Sequence, residues 1–123
     1  MAEDFLCFYE EILAYAQKLR GCHVIVVGLI PDPERDHIDD FKKVWKQSSE
    51  ALQQLCKRFG TAATFFNSAK LFVNETGIDE GFYDVSYRTG RPDIHLNIAG
   101  AIVLAMGLKT HLQQLSPKLF YPD

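Results

Sequence analysis

The segment best equipped for chemistry reads Arg91-Pro92-Asp93-Ile94-His95-Leu96-Asn97-Ile98-Ala99-Gly100. A carboxylate stands two residues before a histidine, just ahead of an apolar, helix-like stretch. An aspartate beside an imidazole accepts a hydrogen bond from Nδ1–H. That fixes the tautomer and leaves Nε2 as a general base. His95 is therefore a candidate base and Asp93 its candidate orienting acid. The residues alone leave the plain alternatives open: a histidine flanking a helix N-terminus, and a surface aspartate after a proline. Asn97 is a natural N-cap for the helix that follows. Gly100, early in that helix, allows close packing.

A base needs something to deprotonate. Ser68 follows an apolar run and can sit at the carboxyl end of a strand, where α/β sites collect. Ser86 and Tyr87 lie in the stretch leading to His95. None of the three belongs to a G-x-S-x-G elbow. Phe82, Tyr83 and Tyr87 can line an apolar pocket, or pin their loop to the core. A metal reading of Asp93 and His95 lacks further ligands. His111 lies a helix away, and His23 and His37 show no ligand spacing, so neither metal nor cofactor is expected. Cys7, Cys22 and Cys56 form no C-x-x-C pair and no disulfide framework. That fits a reducing, cytoplasmic compartment. Their surroundings predict small buried groups.

The elements that must position these residues follow from periodicity. Residues 3–20 carry Phe5, Phe8, Tyr9, Ile12, Ala16 and Leu19 at helical spacing, and Gly21 supplies a stop. Residues 23–30 (HVIVVGLI) form a β-branched run without alternation, as in a parallel strand buried on both faces. Pro31 and Pro33 end it, and residues 32–40 read as a solvated acidic loop. Residues 41–59 predict a second helix with Phe41, Val44, Trp45, Ser48, Leu52, Leu55 and Phe59 on one face. Asp39 or Asp40 can cap it. Residues 61–66 (TAATFF) read as a short strand and 74–91 as a long loop. Residues 97–115 predict a third helix that buries Ile98, Ala101, Ile102, Ala105, Leu108, Leu112 and Leu115, with Pro117 marking its end.

Helices alternating with all-apolar strands predict one α/β domain over 1–123 with parallel pairing. Two strands leave open edges, so self-association or a partner supplying further strands is expected. The 123 residues include 13 Lys+Arg against 16 Asp+Glu, a net charge of −3. No basic run is longer than a pair, so nucleic acid is not an expected partner. The longest apolar run is far short of the roughly 20 residues that span a bilayer. The start, MAEDFLCFYEEI, is acidic where a secretory signal needs positive charge, so no such signal is expected there.

The string DIHLNIAG resembles the last motif block of the SGNH (GDSL-type) hydrolases, written D-G-x-H-x-N-x-x-G. The order of elements around it resembles the C-terminal portion of that family's domain. Members are three-layer α/β/α, flavodoxin-like esterases and acylhydrolases that use a Ser-His-Asp system. The resemblance implies that His95 is the base, Asp93 its acid, and a small ester or acyl compound the substrate. Asn97, Tyr87 and Phe82 are candidate contributors to the binding region. Three departures stand out. The G-D-S nucleophile block is absent, as are the oxyanion-hole glycine and G-x-N-D blocks. Only Ile94 separates Asp93 from His95, where the pattern has two residues. The expectation is a truncated or degenerate hydrolase with little activity as an isolated chain, or else a non-catalytic interaction module or homodimer that keeps the fold remnant.

Overall fold

The computed structural model of the chain describes residues 3–19, 21–36 and 39–116. Helix α1 spans Glu3–Gln17. The chain turns away before residue 20: Cys22 N–H closes onto the Leu19 carbonyl, and Gly21 takes the left-handed φ of 77°. The core face of α1 is Leu13 and Ala16, with Phe5, Leu6 and Tyr9 packed alongside. Phe8, Ile12 and Leu19, expected on that face, are exposed. The apolar stripe of α1 is broader than one contact face, so its period alone could not centre the face on Leu13.

Strand β1 (Val24–Val27), helix α2 (Asp39–Lys57) and strand β2 (Ala63–Phe66) follow. The two strands run parallel, with Val24 opposite Ala63 and Val27 opposite Phe66. Helix α2 is the crossover that parallel pairing requires. It buries Ser48, Ser49, Leu52, Leu55 and Cys56, while Val44 is exposed. The core joins Leu13 of α1, Val26 of β1, Leu52, Leu55 and Cys56 of α2, and Ala63 of β2. The thiol expectation holds for Cys56 alone: Cys7 and Cys22 are exposed.

Residues 74–91 are not the single loop expected. A 3₁₀ turn at Ser68–Phe72 leads into strands β3 (Val73–Asn74) and β4 (Gly77–Ile78), an antiparallel pair. A second 3₁₀ turn at Glu80–Phe82 leads into β5 (Tyr83–Val85), which pairs antiparallel with β6 (Pro92–Leu96). These strands run from two to five residues. Residues 92–96 (PDIHL) do alternate, but the run is short and opens on Pro and Asp, residue types depleted in strands. Asp93 and His95 therefore sit on a hairpin strand, not at a loop end.

Helix α3 spans Ile98–Leu115. Its buried face differs from the expected one. Ile98, Ala101, Ile102 and Ala105 are exposed, whereas Gly100, Gly107, Leu108 and His111 face the protein. A Cβ on Gly100 would collide with the Phe82 carbonyl oxygen, and one on Gly107 would lie 2.7 Å from Leu71 Cδ1. The helix is apolar on nearly every side, so its period selects no face, and the two glycines mark the seat. Among the described residues the fold mixes helices with one parallel and two antiparallel strand pairs. No described helix is long and apolar enough to cross a membrane.

Candidate functional site

Side chains alternate along a strand, so residues two apart share a face. On β6 this brings Asp93 and His95 together. Asp93 Oδ1 accepts the His95 backbone N–H at 2.8 Å and faces His95 Nδ1 at 3.2 Å. The shortened Asp-x-His spacing thus forms the pair because it lies on extended backbone. The His95 side chain is 73% exposed and that of Asp93 24%. His95 Nε2 has no hydrogen-bond partner among the described residues.

Asn97 holds this strand to α3. Its Oδ1 accepts the Gly100 N–H at 2.9 Å, capping the helix. Its Nδ2 donates to the carbonyls of Gly81 at 2.8 Å and Tyr83 at 3.3 Å. Phe82 sets its ring edge-on to buried Phe72 at 5.8 Å between centroids, and its carbonyl accepts the Asn97 N–H. Tyr87 is fully exposed on the connection between β5 and β6. Asn97 and Phe82 thus meet in one junction beneath β6, and Tyr87 stands apart from it.

Of the hydroxyls considered as nucleophiles, those of Ser68, Ser86 and Tyr87, that of Tyr87 stands fully exposed on the hairpin connection. Ser68 is fully buried, and its Oγ donates to the Gly28 carbonyl at 2.7 Å. Ser86 Oγ accepts the Arg88 N–H at 3.2 Å within the hairpin turn. The Tyr83 hydroxyl is buried and donates to the Pro31 carbonyl at 2.7 Å. Burial pushes that phenol well above its ordinary range, and Asp32 and Asp36 push it further. None of these hydroxyls bonds to His95 among the described residues.

An open groove of about 970 Å³ runs beside the hairpin, between Pro33, Glu34 and Asp36 on one side and Thr89, Arg91 and Pro92 on the other. Asp93 and His95 do not line it. Among the described residues no cluster of three or more His, Cys, Asp or Glu is suited to a metal ion. His37 lies outside the described residues.

A second constellation escaped the sequence. His23, just before β1, places Nδ1 2.7 Å from the Thr61 carbonyl and Nε2 3.0 Å from Thr64 Oγ1. The same Thr64 oxygen lies 3.0 Å from His111 Nε2 on α3. Burial pushes the His111 imidazole below its ordinary value, and neighbouring His23 adds to the shift. These residues are 41 and 47 positions apart. The one signal available was a threonine-bearing strand pairing with a strand that opens on a histidine. No known family model matches this chain, nor does any curated protein or solved structure.

Proposed function

We propose that the chain is an SGNH-type acylhydrolase-like domain in which His95 serves as the general base and Asp93 as its orienting acid. The observation that carries this reading is the Asp93–His95 contact at 3.2 Å, with the opposite ring nitrogen open to solvent. An aspartate on Nδ1–H presents Nε2 as the proton acceptor. In this reading β1 and β2 are the last parallel strands of a three-layer α/β/α sheet, and the nucleophile comes from strands outside this chain. The substrate class is a small ester or acyl compound. No resident metal or cofactor is required for that chemistry.

Without a serine partner, His95 can still activate water. A fully positioned general base contributes roughly 10²–10⁴-fold, and a chain without its nucleophile should reach only a fraction of that. The test is hydrolysis of a short-chain aryl ester at pH 7.5 by the purified chain beside His95→Ala and Asp93→Asn. Slow turnover several-fold above the His95→Ala control, and reduced in Asp93→Asn, is expected, with no fluorophosphonate adduct on Ser68 or Ser86. Equal rates in all three proteins would remove the catalytic reading.

A second reading rests on a different observation. Phe8, Ile12 and Tyr15 on α1 and Ile98, Ile102 and Met106 on α3 are exposed. Among the described strands β1 pairs with β2 alone. An interaction module would cover such faces, with a second copy or a partner's strands adding to the open edge. Sedimentation equilibrium tests it: a monomer at all concentrations opposes the homodimer form.

A further inference from the structure

We infer that His23, Thr64 and His111 form an acid-releasable clasp that holds the C-terminal half of α3 on the parallel strands. The hydrogen bonds run in one direction. The Thr61 carbonyl can only accept, so His23 Nδ1 carries a hydrogen. In a neutral ring His23 Nε2 is then an acceptor, and it takes the Thr64 hydroxyl proton at 3.0 Å. Thr64 Oγ1 is left to accept from His111 Nε2–H, also at 3.0 Å. With both imidazoles neutral, the path His111 to Thr64 to His23 to Thr61 is fully satisfied.

One added proton is tolerated. If His23 becomes cationic, the Thr64 hydroxyl turns and donates to His111 Nε2, whose own proton moves to Nδ1. A second proton is not tolerated. Both Nε2–H groups then point at a single hydroxyl oxygen, and two cations face each other across it. The hydroxyl hydrogen is left without an acceptor in the cluster.

Among the described residues the surroundings offer no charge compensation. Strand β2 carries no ionisable side chain. The adjoining cavity, about 520 Å³, has His23 as the one ionisable side chain among its described lining residues and is otherwise formed by groups such as Ile25, Leu112 and Leu115. Charged side chains on the elements packed around the cluster are Lys109 of α3, Lys70 of the 3₁₀ turn, and Lys57 and Arg58 at the end of α2. Arg58 is engaged with Glu10 at 2.8 Å. Neither His23 nor His111 is ion-paired with a carboxylate among the described residues. Acid therefore drives a second proton onto a site built for one or none, and the contact between α3 and β2 breaks. The N-terminal half of α3 keeps its own ties through Asn97 and Gly100, and Gly107 remains seated at mid-helix. Release is thus confined to the turns around His111 and bares Leu112, which is half-buried.

The experiment is amide hydrogen exchange of the whole chain at pH 7.5 and pH 5.5, corrected for intrinsic rates, with histidine ring resonances followed by NMR. Protection of residues 109–115 is expected to fall ~5–10-fold at the lower pH, the loss that one hydrogen bond accounts for. Residues 98–104 should keep theirs. Thr64→Val retains both imidazoles and removes the bridge. It should show low protection of 109–115 at both pH values. His111→Gln, which donates without titrating, should keep the segment protected at pH 5.5. Equal loss over both halves of α3, or no loss at pH 5.5 in the unaltered chain, would overturn the clasp. Either result is read from the unaltered protein, whether or not the variants fold.

Discussion

The Ser68 hydroxyl donates to the Gly28 carbonyl across the carboxyl ends of the two parallel strands, at 2.7 Å. Both residues are buried, so the bond has no competitor in water. Ser68→Ala leaves the Gly28 oxygen without its partner inside the protein. The expected cost is about 1–3 kcal/mol, the range for a stranded buried acceptor. The midpoint of thermal unfolding should drop by roughly 3–6 °C per kcal/mol in a domain of this size. Ester turnover should not change, which separates a structural hydroxyl from a nucleophile.

Gly100→Ala sets two effects against each other. Alanine is intrinsically better than glycine inside a helix by about 1 kcal/mol. Its Cβ would also collide with the Phe82 carbonyl oxygen and crowd Leu96 at 3.1 Å. Backbone cannot yield as a flexible side chain can, and overpacking costs typically 1–3 kcal/mol or more. The collision prevails, so urea unfolding should show a net loss of about 1–2 kcal/mol after the helix gain is offset. A midpoint at or above that of the unaltered chain would contradict the close approach of α3 to Phe82.

Asn97 both caps α3 and ties it to the hairpin, and two substitutions separate these roles. Asn97→Asp keeps an oxygen for the Gly100 N–H but places a carboxylate against the Gly81 and Tyr83 carbonyls. Asn97→Ala removes all three side-chain bonds and leaves the backbone N–H on the Phe82 carbonyl. A lost cap alone costs about 1 kcal/mol, so Asn97→Ala should lose about 2–3 kcal/mol with its cross-links. If the cross-links matter, Asn97→Asp also loses stability although the cap survives. Chemical denaturation of the two variants decides it.

Tyr83 gives the chain an alkaline limit. Its phenol is raised in the folded state by burial first, then by Asp32 and Asp36. The neutral form is therefore favoured more strongly in the folded protein than in the unfolded one. The stabilisation is complete below the ordinary phenol value near 10 and is lost as pH rises above it. Tyr83→Phe should unfold less steeply with pH above about 10. It should start from a stability lower by about 1–2 kcal/mol at neutral pH, because the Pro31 carbonyl loses its donor. Thermal melts between pH 8 and 11 provide the comparison.

His111 acts in the opposite range. Burial, with His23 adding to it, lowers its folded value below the unfolded one. The resulting stability is present above the ordinary histidine value of about 6.5 and is lost as pH falls below it. Melting of the unaltered chain should drop between pH 7 and 5. The drop should be smaller in His111→Gln, and the difference between the two curves isolates this residue from the other histidines.

The parts of the fold that were legible in the sequence are those carried by strong local patterns. β1 is read from its unbroken β-branched run and α2 from Leu52, Leu55 and their spacing. Asn97 caps its helix as its residue type and position suggest. The remainder depends on contacts distant in sequence. Leu13 is as apolar as Ile12, and only the position of α2 decides which one is buried. On α3 nearly every side chain can face a core, so periodicity favoured the isoleucines over the glycines. The β5–β6 hairpin is held by bonds such as Gly90 N–H to the Ser86 carbonyl at 2.7 Å, and its alternating strands are too short to be read against their Asp and Pro content. The Asp93–His95 pair was visible as a spacing, but its geometry needed the strand. The histidine clasp was invisible because three separate elements each contribute one member.

The glycine seat of α3 has a practical consequence for altering this molecule. Gly100 and Gly107 fix the rotational setting of the helix through what they exclude, so its outer face is defined by subtraction. Ile98, Ile102 and Met106 take no part in that seating. They are therefore interchangeable as far as the fold is concerned. Glutamate or lysine at these three places should give a chain that refolds as before, stays dispersed at higher concentration, and can no longer adhere through that face. Rewriting this surface while leaving the seat intact would separate what the helix does for its own domain from what it offers to others.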